Sequence, residues 1–418
     1  MRESATLEFK ATVSRTFLKT VSAYANYGTG SILFGIADNG SIIGIENTDQ
    51  ARLSIENAIN DALDPRPTYF MAEKCLEGKR VVELTVHEGP DKPYLCSGKA
   101  YQRFDTSTVA VDRSELRRLS IEGSPVPFDE MRSRRQELGF TVLCKYLKES
   151  MGIGMVTEDT LKTLGLLRDG VLNNAAALLS DENDFPGLDI VRYDQDELSI
   201  HERITCEGVS VLAQLDTAVA EFQRHYVVEQ VQGMRRARVE TVPEESFREA
   251  VANALAHRIW YNSGRTIASF YPDRIEIASP GGLPRDIDEA LYLSGGVSVP
   301  RNSTLAYVFL RLGIIEQLGT GVKRIQRSYE NSLVKPVFHV SDYALKVMLP
   351  RLSLAHDLTD AERAMLALFV PGLELSGAEL EKATGLSRAT ALRIATSLRE
   401  KGALLRTGKA RATRYRLP

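Results

Sequence analysis

Hydrophobic and polar positions alternate along this chain in several distinct registers, each predicting a different kind of element. Near the N-terminus two apolar runs, 31–36 and 42–45, flank Asp38-Asn39-Gly40, the pattern of a β-hairpin, behind a helix over 15–24. A stretch rich in proline and charge, SPVPFDEMRSRR, reads as a linker. DGVLNNAAALLSDENDFPGLDIVRY then predicts a turn, an apolar helix, a Pro-Gly break and a strand. A helix over 244–259 follows Pro243, with Glu249, Asn253 and His257 four apart on one face.

The C-terminal 60 residues carry the clearest pattern. Thr359 caps a helix over 360–369 that stops at Pro371-Gly372, and Ser376 caps a second, GAELEKAT, that stops at Gly385. Ser387 starts a third, whose Ala391, Ile394, Ala395 and Leu398 form a stripe at helical spacing. Opposite lie Ala389, Thr390, Arg393, Thr396 and Ser397, a small polar face with one arginine, suited to a major groove. After Gly402 the chain alternates in period two, predicting a hairpin that presents Lys409, Arg411, Arg414 and Arg416. Helix, helix, turn, helix, hairpin is the order of a winged helix-turn-helix.

Charge sharpens this picture. Residues 387–418 hold nine Lys/Arg against one acid, Glu400, a net +8, while the rest of the 418-residue chain sums to −11. Such segregation implies a polyanionic partner for one end of the chain, with Ser387, Arg388, Thr390, Arg393, Lys409, Arg411 and Arg414 as its contacts. Length suggests about three domains, and 43% hydrophobic with 26% charged residues is the balance of a globular protein. No apolar run is long enough for a membrane span and the N-terminus is no signal peptide, so a cytoplasmic location is expected. Cys75, Cys96, Cys144 and Cys206 lie far apart without metal-ligand spacing and are expected to be buried reduced thiols.

Over roughly the first 120 residues the chain resembles the Schlafen AlbA-like domain, a nucleic-acid-binding fold. The resemblance rests on Glu3-Ser4, Glu8-Phe9-Lys10, Ala23-Tyr24-Ala25-Asn26, Gly35-Ile36-Ala37-Asp38 and Ile42-Ile43-Gly44-Ile45. The chain departs from it at Thr29-Gly30, where the family has adjacent glycines. In the RNA-cleaving branch the resemblance implies a three-carboxylate site of Glu3, Glu8 and Asp38, gathered by Mg or Mn. The other reading makes Glu8 a partner of Lys10 and Asp38 a turn residue. Lys10, Lys99 and Arg103 are expected at phosphates in either case.

Residues 240–350 resemble a degenerate GHKL-like ATPase domain. The carriers are Glu249 and Asn253, DRIEIASPGGLP from Asp273, and the turn Gly319-Thr320-Gly321. The resemblance implies ATP at Glu249 and Asn253. Asp273 is however followed by Arg274-Ile275-Glu276 where true members have small residues, and no P-loop is present. In the alternative, Glu249, Asn253 and His257 form a buried polar cluster that holds the Ser279-Pro280-Gly281-Gly282 loop.

The fold expected is α+β and multidomain: an AlbA-like α/β sandwich (1–122), a linker and α/β connecting region (123–238), a degenerate GHKL-like α/β domain (239–355) and a winged helix (356–418). The function expected first is a DNA-binding transcriptional regulator that self-associates on double-stranded DNA. A Schlafen-type metal-dependent endoribonuclease acting on RNA is the alternative, and an ATP-binding switch the second.

Overall fold

A computed structural model describes residues 2–194, 199–232, 235–284, 287–296, 299–316, 319–352, 358–369, 373–408 and 413–417. The chain is α+β throughout and divides into two compact units, Met1–Val126 and Pro127–Pro418. The break falls at the proline-rich stretch the sequence marks as a linker.

The first unit is a four-stranded sheet. Leu7–Lys10 runs parallel to Gly30–Phe34, which pairs antiparallel with Lys79–Val86, and that in turn with Tyr69–Leu76. Helices Phe17–Tyr27 and Thr48–Ala62 bury Phe17, Val21, Ile55 and Ile59 with Ile32 and Phe34 of the sheet; Phe9, Leu33, Ile36 and Val81 form a small cluster of their own. The expected N-terminal hairpin is corrected here in its extent. The turn forms and the two arms meet antiparallel at Ile36 and Ile42, with the Ala37 amide donating to Ser41 and the Ile43 amide to Gly35, but the hairpin is short and the strand Gly30–Phe34 itself pairs elsewhere. The stronger neighbours are Leu7–Lys10 and Lys79–Val86, because pairing there places apolar residues on both faces of a central strand.

Residues 127–349 share one hydrophobic core rather than forming a linker region and a separate domain. Leu143, Leu179 and Leu215 from the connecting region pack with Leu255, Phe270 and Phe309. A six-stranded sheet carries it, in the order Ile200–Cys206, Leu188–Tyr193, Thr266–Phe270, Arg274–Pro280, Ala344–Pro350, Val337–Val340. Helix Glu244–His257 packs on this sheet beside helix Val211–Tyr226, joined by the stacked rings of Phe222 and Phe247, 4.6 Å between centroids. The apolar helix foreseen after Asp169 is Asn174–Leu179, buried at every position, and its strand is Leu188–Tyr193. A two-stranded hairpin, Val227–Gln232 with Arg235–Glu240, leads from one of these helices towards the other.

The C-terminal segment folds as helices Asp360–Leu366, Gly377–Thr384 and Arg388–Glu400 on a three-stranded sheet, Leu375–Ser376, Arg414–Arg416, Leu405–Thr407. Thr359 and Ser376 each close a capping box, with Glu362 and Glu379, and Gly385 ends its helix at φ +68°. The strand Leu375–Ser376 is an element the sequence did not announce; two residues are too few for a period to show.

No helix among the described residues is long and apolar enough to cross a membrane. All four cysteines are free; Cys96 and Cys206 are buried as expected, Cys144 is half-buried, and Cys75 is exposed on the outer strand of the first sheet.

Candidate functional site

In the first unit, strand pairing decides the fate of the carboxylates. Glu8 pairs in register with Ile32 and Lys10 with Phe34, so the pleat turns Glu8 inward, towards helix Phe17–Tyr27. A buried carboxylate needs partners. Glu8 has Arg103 at 2.6 Å, Lys10 at 2.6 Å, and the Thr20 hydroxyl donating to it. Arg103, only 4% exposed, also donates to the Ser4 carbonyl at 3.1 Å and to the Thr108 hydroxyl at 3.2 Å. Above this network stands the buried Tyr24 hydroxyl, without a hydrogen-bond partner among the described residues; burial raises its pKa far above the ordinary tyrosine value.

Glu3 accepts a hydrogen bond from the Phe9 amide at 2.8 Å. Asp38 is exposed at a turn closed by the Gly40 amide donating to the Ala37 carbonyl at 2.8 Å. Glu3, Glu8 and Asp38 do not bring their oxygens within 4.8 Å of one another. A divalent cation does not fit this set, because the three carboxylates do not converge and Glu8 is in direct contact with both Arg103 and Lys10 at 2.6 Å. Arg103 is likewise corrected as a phosphate contact, being enclosed and committed to Glu8. Lys10 is tied to the same carboxylate, whereas Lys99 stands exposed in a tight turn.

Two features of the resemblance receive structural roles. Asn26 donates to the Ser22 and Tyr94 carbonyls, at 2.9 Å each, and accepts from the Tyr94 amide at 2.8 Å. It clamps the helix end to the strand region. Gly30 lies under the Tyr24 ring, which a Cβ there would meet at 2.5 Å, so packing rather than ligand approach demands glycine.

In the C-terminal segment the stripe Ala391, Ile394, Ala395 and Leu398 is buried, as the spacing predicts. Ser387 caps the helix by accepting from the Thr390 amide at 3.4 Å. Ser387, Arg388, Ala389 and Arg393 are exposed and Thr390 is half-buried, leaving a polar face open. Arg414 donates to the Glu374 carbonyl at 3.1 Å and lies 3.6 Å from Glu379. Lys409 and Arg411 lie outside the described residues. The anchor that sequence reasoning missed is Glu362. Burial pushes its carboxyl up, but Lys401 at 2.7 Å, the Ser397 hydroxyl at 2.7 Å and the Thr359 amide outweigh that and hold it at about 2.

The third locus is a cleft of about 120 Å³ between helix Glu244–His257, the sheet and the helix Gly321–Ser328. One water occupies roughly 10–15 Å³ on this measure, so the cleft has room for a small molecule. Ile277, Leu345 and Val347 floor it, and Glu249, Asn253, His257 and Arg301 enter it. Asn253 donates to Glu249 at 2.9 Å, and Arg324 reaches the same carboxylate at 3.4 Å while pairing with Glu316. Burial raises the Glu249 carboxyl above its ordinary value, with Asn253 and Arg324 opposing. His257, lowered to about 4 by burial and then by the Arg301 charge, is neutral at pH 7.

Gly321, the first residue of the helix Gly321–Ser328, lies against this pair: a Cβ there would stand 2.2 Å from Glu249 Oε1 and displace that carboxylate. Arg274 and Glu276, which stand where true GHKL members have small residues, do not line the cleft. Strand alternation sends Ile277 and Ser279 into the cleft and Arg274 and Glu276 to the opposite face, where they pair at 2.9 Å and Lys346 joins Glu276 at 3.1 Å. Arg301, which lines the cleft, and Arg324, which reaches its Glu249, are residues that sequence reasoning missed; arginines 23 residues apart carry no spacing that marks a common site.

Comparison with known proteins fits this architecture. Two separate segments of the chain match family models, one in each unit. Residues 3–112 match the family described as "Schlafen, AlbA_2", and residues 266–349 the one described as "Putative ATP-dependent DNA helicase recG C-terminal". The crystal structure of the DIP2311 protein from Corynebacterium diphtheriae is similar over 99% of this chain and 92% of that one, at 20% identity and TM-score 0.51, which shows a common fold. The N-terminal domain of a "Putative ATP-dependent DNA Helicase RecG-related Protein" from Nitrosomonas europaea matches 27% of this chain and 85% of its own, at 22% identity and TM-score 0.21. No curated protein matches the chain.

Proposed function

We propose that this protein is a DNA-binding transcriptional regulator whose C-terminal segment acts as a winged helix on double-stranded DNA. The observation that carries the reading is the helix Arg388–Glu400. It buries its apolar stripe and leaves Arg388, Ala389 and Arg393 open. The N-terminal Schlafen AlbA_2 domain, of a nucleic-acid-binding family, adds contacts through exposed cations such as Lys99. Self-association belongs to this reading, since a two-fold operator is matched by a two-fold protein. Fluorescence anisotropy of labelled duplex with the full chain and with a variant lacking 387–418 tests it. Duplex affinity falls at least tenfold on truncation; unchanged affinity refutes the reading.

A second role has its own support. The cleft is bordered by glycine-bearing turns and is free of Arg274 and Glu276, so it suits an effector, with ATP as the first candidate at Glu249 and Asn253. Calorimetry with ATP and magnesium checks this; absence of heat removes ATP as the effector. RNA cleavage by Glu3, Glu8 and Asp38 has no comparable support, because the three carboxylates do not converge and Glu8 is in direct contact with Arg103 and Lys10.

A further inference from the structure

A separate cluster lies away from the cleft, at the edge of the six-stranded sheet. Glu221 and His225 stand one turn apart on helix Val211–Tyr226, and Glu202 comes from the edge strand Ile200–Cys206. Among the described residues this is the single group of three acidic, histidine or cysteine side chains whose donor atoms all lie within 4.8 Å of one another.

The imidazole is the informative member. Its Nε2 is buried, without a hydrogen-bond partner among the described residues, at 3.4 Å from Glu221 Oε2 and 4.0 Å from Glu202 Oε2. A neutral ring has a lone pair on one nitrogen, and two carboxylates converge on the same point. Three electron-pair donors in one place are stabilised by a cation between them.

Distances set the kind of cation. Two donors each about 2.1 Å from a tetrahedral ion stand about 3.4 Å apart. The Glu221–His225 separation meets that as it stands, and Glu202, 4.0 Å from the ring nitrogen and within 4.8 Å of Glu221, closes the remainder by rotation about its side-chain torsions. We propose that Glu202, Glu221 and His225 bind a divalent transition-metal ion, zinc by preference, with water in the fourth position. An imidazole nitrogen with two carboxylates favours zinc over magnesium or calcium, which take oxygen ligands.

The surrounding charges make the ion exchangeable rather than permanent. Arg192 Nε stands 3.5 Å from Glu202 Oε2; Arg224 lies 3.9 Å from Glu202 and 3.7 Å from Glu221. Arg224 is 63% exposed and can swing into solvent, while Arg192 stays near Glu202 and lowers affinity. When bound, the ion ties the edge strand to a helix that runs straight into the hairpin beginning at Val227.

The test is calorimetry of the full chain with zinc chloride alone and with magnesium chloride alone, on the wild type, His225→Ala and Glu202→Gln. The wild type takes up one more equivalent of zinc than either variant, magnesium does not compete, and cobalt(II) gives an intense visible band in the wild type only. Equal zinc stoichiometry in wild type and Glu202→Gln, or magnesium displacing zinc, overturns the assignment. Glu202 is one-third exposed on an edge strand, so its variant decides the matter even if His225→Ala fails to fold.

Discussion

At the scale of single residues, a carboxylate's role follows from the direction its backbone gives it. Glu8 and Asp38 are equally acidic in sequence, yet the pleat buries one while a turn exposes the other. Replacing Glu8 by Gln leaves Arg103 enclosed without its counter-charge, so the first unit loses about 3 kcal/mol, read as a lower urea midpoint. Asp38→Ala changes stability by no more than about 0.5 kcal/mol. Glu362 gives a pH dependence with a definite sign. Its carboxyl is held at about 2 in the folded chain against an ordinary 4.5. The stability it contributes is therefore present above pH 4.5 and lost as pH falls towards 2. Wild type exceeds Glu362→Gln by about 3 kcal/mol at pH 6, and urea unfolding at stepped pH shows the gap closing near pH 2.

At the scale of elements, the helix Arg388–Glu400 divides its labour by face. On the proposed function Arg393 reaches base edges from the open face, and Arg393→Ala relaxes sequence preference, seen as a smaller affinity ratio between cognate and random duplex. Lys409 is expected at a phosphate, and Lys409→Ala weakens binding on every sequence while lowering the slope of log affinity against log salt by about one unit. The helices of this segment were legible because their stripe and caps are local. Both capping boxes, Thr359 with Glu362 and Ser376 with Glu379, can be read within four residues. The extent of the N-terminal hairpin misled for the opposite reason. Asp38-Asn39-Gly40 does make its turn, but a turn does not dictate which strand wins the central pairing, and Lys79–Val86 won it from more than forty residues away.

At the scale of the whole molecule, two units with separate cores meet the proline-rich stretch around Ser124-Pro125-Val126, where Val126 is 44% exposed. Limited proteolysis is expected to cut here first, giving an N-terminal fragment of about 125 residues, identified by mass. The connecting region shows why four segments in sequence became two bodies. Its strand Leu188–Tyr193 pairs with Thr266–Phe270, and its helices bury Leu143, Leu179 and Leu215 against residues far downstream, so they complete one sheet and one core.

The sequence alone determined what depends on neighbours within a few positions: the helix stripes, the caps, the linker, the segregation of positive charge at one end, and the motifs that mark the Schlafen and ATPase-like domains. Tertiary structure alone decided what depends on direction. It turned Glu8 inward onto Arg103, set Arg274 and Glu276 on the face away from the cleft, and brought Arg324 to Glu249 and Arg301 into the cleft beside His257. It also joined Glu202 to Glu221 and His225. Period two and period 3.6 can be counted along a chain, but which strand lies beside which is fixed by long-range packing, and that choice sets where each charged side chain points.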